Sequence, residues 1–295
     1  MHASATWTLL DAALLRRWPL PEIPSDADKE VRGRVLVVGG SREIPGAAVL
    51  AGVAALRAGA GKLVMATARS VATQLAMIVP EARVIALPEN DAGSFVINGI
   101  ALLDESLGTA DAILVGPGLM DDEGTAAFTA ALLAHVKDAP VILDARAMQV
   151  AGGGKRFDGK VLLTPHAGEM AGLLGEAKQD IENDPSGAAL RGARAWGALV
   201  ASKGATTWIA DASGRGWRHD AGLPGLATSG SGDVLAGVIA GLAARGAPLE
   251  QAAAWGVVVH ALAGAKLAQR HAALGYLARE LPGEIPAIIA SLQRA

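Results

Sequence analysis

Asp233 follows Gly230-Ser231-Gly232 and opens a run with apolar residues at Val234, Leu235, Val238, Ile239 and Leu242. That spacing predicts a helix with one buried face, entered through a glycine turn. The first turn of such a helix has N–H groups without intrahelical partners and carries the positive end of the helix dipole. A phosphate at Gly230–Gly232 therefore meets preorganised donors, with the carboxylate of Asp233 beside it. The same residues also suit a plain helix N-cap, a position aspartate favours. Neither Gly-x-x-x-x-Gly-Lys-Ser/Thr nor Gly-x-Gly-x-x-Gly occurs between strand and helix here, so the choice rests on the rest of the chain.

The elements that must position this cradle repeat one pattern. Arg34–Val38 is an apolar run closed by Gly39-Gly40-Ser41, followed by Gly46–Arg57 with helical spacing and by a second run at Lys62–Ala66. Further apolar runs follow at Arg83–Leu87, Ala112–Val115, Val141–Leu143 and Val161–Leu163, with closing strands at Leu199–Ser202, Thr207–Ala210 and Gly216–His219. Helical stretches at Asp121–Val136, Asn183–Trp196, Leu249–Gln269 and Pro282–Leu292 complete the alternation. Near-continuous apolar strands with helical crossovers predict an α/β fold, a central and mostly parallel sheet flanked by helices on both faces. Ligands of such sheets bind beyond the carboxyl ends of the strands. The tips there are Gly39–Ser41, Gly116-Pro117-Gly118, Asp144, His166-Ala-Gly-Glu169, Lys203-Gly204 and Gly230–Asp233. Each has an ordinary reading, the glycines as turns and the His166–Glu169 pair as a cap or surface contact; six along one edge argue together for a site.

Composition narrows the partners. The 295 residues are 51% hydrophobic, carry a formal charge of −3 and contain no cysteine, which leaves neither a basic field for nucleic acid nor a disulfide or thiolate-metal framework. No uncharged apolar run is long enough to span a membrane, and Asp11, Arg16 and Arg17 interrupt the only signal-like segment. We expect a cytoplasmic homo-oligomer acting on small molecules. Residues 1–28 read as an N-terminal arm, with a short amphipathic segment at Leu9–Trp18, and 29–295 as one domain, because no linker or composition break divides them.

From Lys29 onward the chain resembles the ADP- or ATP-dependent dehydratases that repair hydrated NADH and NADPH, a branch of the ribokinase-like superfamily. The matching motifs are Arg32-Gly-Arg-Val-Leu-Val-Val-Gly-Gly-Ser41, Pro45-Gly-Ala47, Gly116-Pro-Gly-Leu119, Thr164-Pro-His166-x-Gly-Glu169, Lys203-Gly204 and Gly225-Leu-Ala-Thr-x-Gly-Ser-Gly-Asp233. The resemblance implies dehydration of the S-form of the hydrated cofactor, with Asp233 catalytic and Ala47, Gly118, His166 and Asp233 against the substrate. It further implies ADP or ATP along Lys203, Gly204, Ala205, Thr206 and Thr207 and at Gly232, adjoining the Gly230–Ser231 cradle, with Mg²⁺ near Glu169. Many relatives carry an upstream epimerase domain, for which the residues before 29 are too few. Three positions depart from the family pattern: Arg146 stands where a carboxylate is usual, Met120 where glycine is, and Ile44 where an aromatic is. An ordinary superfamily kinase of a vitamin precursor or sugar, and a non-catalytic nucleotide sensor, share the same cradle.

Overall fold

A computed structural model describes residues 6–24, 26, 28–120 and 123–294. Ten strands form one sheet among these residues: β1 (Trp7–Leu9), β2 (Arg34–Val38), β3 (Lys62–Ala68), β4 (Ala82–Leu87), β5 (Ala112–Val115), β6 (Val141–Leu143), β7 (Val161–Leu163), β8 (Leu199–Ser202), β9 (Thr206–Ala210) and β10 (Gly216–Asp220). Their spatial order is β1-β10-β9-β8-β7-β6-β5-β2-β3-β4. The strands from β4 to β8 run parallel, whereas β8-β9 and β9-β10 are antiparallel.

Strand order reverses between β2 and β5, because the chain winds outward through β3 and β4 and then returns to build β5 to β8 on the other side. A reversal of this kind opens a crevice at the carboxyl ends, since the loops after the two adjacent strands diverge to opposite faces. Along β2, Val35 and Val37 face one helical layer while Leu36 and Val38 face the other. The first layer holds α1 (Ala12–Arg17), α2 (Pro45–Arg57), α9 (Ser231–Ala244), α10 (Leu249–Arg270) and α11 (Leu281–Gln293). The second contains α4 (Asp104–Thr109), α5 (Glu123–His135), α7 (Lys178–Asn183) and α8 (Pro185–Trp196), and α6 (Ala167–Leu174) lies on the same side, while α3 (Ala72–Ile78) joins the first layer through Leu75. Asp121 and Asp122, the start of one helical stretch read from the sequence, lie outside the described residues.

Two sequence expectations change in detail. The run after Asp233 is buried on nearly every side rather than on one face: 12 of the 14 residues of α9 are buried. Small residues account for the difference. A Cβ on Gly237 would lie 2.1 Å from the carbonyl oxygen of Ala51, and one on Gly241 would lie 2.4 Å from that of Ala55, so α2 approaches α9 backbone to backbone. Glycine and alanine weigh little in an apolar pattern yet bury completely in such a contact. Of the segment Leu9–Trp18, only Ala12–Arg17 is helical, as the six-residue α1, and Leu9 ends strand β1. β1 pairs in parallel with β10, and Gln251 and the indole N–H of Trp255 on α10 donate to the carbonyl of Trp18.

Candidate active site

Backbone geometry joins the two loops at the switch point. Gly40 N–H donates to Pro117 and Ser41 N–H to Gly118, at 2.8 and 3.0 Å. Gly118 has φ +70°, and a Cβ there would lie 2.2 Å from the carbonyl oxygen of Ile44 and 3.0 Å from the methyl of Ala47. Ala47 and Gly118, expected from the sequence on the substrate side, are thereby brought against each other at the switch point. Ile44 projects outward half-exposed beside it.

Asp144 follows β6 and is buried, while Gly116 backs directly onto its main chain. Its Oδ1 accepts from the Thr164 hydroxyl at 2.6 Å and from the Lys203 ammonium at 3.0 Å. Lys203 follows β8, and its main chain bridges to His166 after β7. A Cβ on Gly232 would stand 3.3 Å from Lys203 Nζ, which places the ammonium against the first turn of α9. Burial opposes its charge, but the carboxylates of Asp144, then Glu169 and Asp233, outweigh that cost and hold its pKa above the ordinary value.

Gly230 caps α9 with φ +89°, a left-handed conformation that glycine adopts without a Cβ penalty. No side chain caps this end, so Asp233 at the third helical position is not the N-cap. Burial, followed by the negative charge of Asp144, pushes its carboxyl up to about 7; Lys203 opposes the shift and Glu169 adds to it. A carboxyl pushed toward neutrality beside the uncapped amides of a helix N-terminus has the properties of a general base.

His166 is a helix cap, one of its two readings from sequence. Its Nδ1 accepts from the amides of Gly168 and Glu169, capping α6, while the Glu169 carboxylate returns to the His166 N–H at 2.8 Å. The ring also borders a cavity of about 700 Å³, which reaches Lys203, Gly204, Ala205, Thr207, Ser231 and Gly232. Six sequence-predicted residues therefore share one cavity with His166. Thr206 does not: strand alternation turns it away, and its hydroxyl donates to Asp220 at 2.9 Å. Gly230 stands behind the cavity wall against Leu50 of α2.

Sequence reading missed His260. It lies buried on α10 with Nε2 3.1 Å from the Ser231 hydroxyl, and burial pushes its imidazole down to about 4, leaving it neutral near neutral pH. Nothing in the apolar pattern of α10 marks it, because the pairing arises only when α10 packs on α9. A second cavity of about 240 Å³ lies between α6 and residues 145–151, lined by Arg146 and Glu169 among others.

A family model described as NAD(P)H-hydrate dehydratase matches residues 35–287. The chain belongs to the NAD(P)H-hydrate dehydratase family. It is 48% identical, over 96% of both chains, to the ADP-dependent (S)-NAD(P)H-hydrate dehydratase of Xanthomonas campestris pv. campestris. It is 39% identical to the bifunctional NAD(P)H-hydrate repair enzyme of Moorella thermoacetica, matching 97% of this chain but 54% of that one. Among solved structures it resembles the ADP/ATP-dependent NAD(P)H-hydrate dehydratase of Bacillus subtilis, co-crystallised with ATP and Mg²⁺, with a TM-score of 0.83 and 29% identity over 98% of this chain and 100% of that one. The architecture is ribokinase-like, as the motifs led us to expect. No helix among the described residues of this NAD(P)H-hydrate dehydratase family member is long and apolar enough to cross a membrane.

Proposed function

We propose that this chain dehydrates the S-form of hydrated NADH and NADPH at the expense of ADP or ATP. The observation that carries the reading is the Lys203 ammonium, held among Asp144, Glu169 and Asp233 against the uncapped N-terminus of α9. It faces a cavity of sufficient size for a nucleotide. The family relationship adds the reaction type.

In the reaction, Asp233 takes the proton of the substrate hydroxyl as that oxygen bonds the terminal phosphorus of the nucleotide. The bridging phosphoanhydride bond breaks, and AMP or ADP departs. The Gly232 amide and Lys203 hold charge on the transferred group, oriented before reaction so that little reorganisation is needed. The carbon–oxygen bond then breaks with its electron pair leaving on phosphate, and loss of a proton from the adjacent carbon restores the ring double bond. The sum is hydrated cofactor plus ADP giving reduced cofactor, AMP and phosphate. On the substrate side, Ala47 and Gly118 shape the wall and His166 supplies a ring N–H at the lip.

Magnesium fits the donors present. Among the described residues no group of three His, Cys, Asp or Glu side chains could hold a metal alone. Mg²⁺ commonly needs only one or two carboxylates besides the phosphates. Glu169 uses Oε2 on the His166 N–H and keeps Oε1 as a hard oxygen donor. Bound there with the nucleotide, the ion would neutralise phosphate charge.

Purified protein supplied with Mg²⁺ and ADP or ATP should convert hydrated NADH to NADH with one phosphate released per cofactor. Dihydronicotinamide absorbance and phosphate measured together test this. Accumulation of a stable phosphoester, or neither signal, would overturn the proposal.

A further inference from the structure

His219 lies on the same cavity and takes no part in the chemistry above. Sheet register fixes its place. Ser202 pairs with Trp208, Trp208 with Arg218, and Thr207 with His219, so Lys203, Thr207 and His219 form a row across the ends of β8, β9 and β10. All three residues line the cavity, and the register puts their side chains on one face of the sheet. Two strand spacings of ~4.8 Å separate the ends of the row, about 10 Å in all. A nucleotide with its phosphates at Lys203 and Gly232 and its length along this row brings its base to His219. Leu223, Leu226, Val257 and Ala261 offer apolar surface for the faces of that base. The buried imidazole of His260 is engaged with Ser231 at the other end of the cavity.

The hydrogen bonding of His219 determines what its ring can read. Nδ1 lies 2.8 Å from the main-chain oxygen of Leu10. A carbonyl oxygen only accepts, so Nδ1 carries the proton and Nε2 of the neutral ring is an acceptor. The carbonyl cannot easily turn away, because Leu10 is buried and its own N–H donates to Arg218 at 2.7 Å. The N-terminal segment thereby fixes the tautomer of a residue on the cavity wall.

We propose that His219 reads the nucleotide base through Nε2, accepting from a 6-amino group and so selecting adenine over 6-oxo purines. This rests on the assignment of the cavity to the nucleotide. Facing the 6-oxygen of hypoxanthine, itself an acceptor, Nε2 would set one lone pair against another in place of that bond, and the base would have to shift to offer its N1–H instead.

Calorimetric titration of the full chain with ADP and with IDP, which differ at position 6, tests the inference. ADP should bind at least about tenfold more tightly than IDP. His219→Ala should bring the two dissociation constants within about threefold of each other, chiefly by weakening ADP, with thermal unfolding recorded to show that the variant folds. Equal binding of ADP and IDP by the unsubstituted protein would overturn the inference without any variant. A preference retained in folded His219→Ala would do the same while leaving the proposed function standing. Binding of neither nucleotide would overturn both.

Discussion

Asp233→Asn is expected to lower kcat by about 10²–10⁴-fold, the usual loss for a positioned general base, while ADP still binds. Asparagine keeps the shape of the side chain but cannot accept the hydroxyl proton. Because Gly230 provides the cap of α9, the exchange removes no capping contact, and loss of activity cannot be ascribed to a frayed helix. Stability gives a second readout. The carboxyl titrates near 7 in the folded protein against an ordinary 3.8, so between these values the folded state binds the extra proton and stability falls as pH rises. Asparagine is free of that loss, and at about pH 8 the variant should unfold at a temperature no lower than the parent. Retention of more than about a tenth of the parent kcat would contradict the role, since one decade is only ~1.4 kcal/mol. For the parent, kcat/KM should rise with pH through about 7, the pH at which Asp233 gives up its proton. A flat profile across that region would point to another base.

Lys203→Met should weaken ADP binding by roughly 10- to 100-fold, the scale of one charge-assisted hydrogen bond lost. Methionine retains much of the stem's volume and removes the charge together with the ammonium donors. The same exchange should move the rising limb of the pH profile upward, because Lys203 is the group that opposes the upward shift of Asp233. Direction matters here: without the cation, Asp144 and Asp233 repel each other unrelieved, and a proton is held to higher pH. Unchanged ADP affinity together with an unmoved limb would show that the ammonium serves Asp144 alone.

The parallel core was legible because its strands are buried on both faces and read as continuous apolar runs. Ala112–Val115, Val141–Leu143, Val161–Leu163 and Leu199–Ser202 begin and end at the expected residues. Strand β1 was not, since three residues at an edge have no periodicity and depend on pairing with β10, two hundred residues away. Helix α6 was hidden inside the Thr-Pro-His-x-Gly-Glu motif, where the capping residues drew attention away from the short helix they start. The site followed the same division. Polar residues directly after apolar strands, such as Asp144 and Lys203, stood out, whereas His219 and His260 acquire their roles only through contacts with Leu10 and Ser231. Thr206 and Thr207 looked equivalent in sequence, and strand alternation alone separates them. The exchange to Arg146 is now placed on the wall of the smaller cavity with Glu169, beside Ala145, whose φ of +48° is rare for a residue with a Cβ.

In the proposed reaction the substrate hydroxyl attacks phosphorus and its oxygen leaves in phosphate. Hydrated NADH labelled with oxygen-18 in that hydroxyl should therefore give phosphate carrying the label after turnover with ADP, read by mass spectrometry of the released phosphate. Label found in water, with unlabelled phosphate released, would contradict it, because direct loss of water coupled to separate nucleotide hydrolysis would then be the reaction.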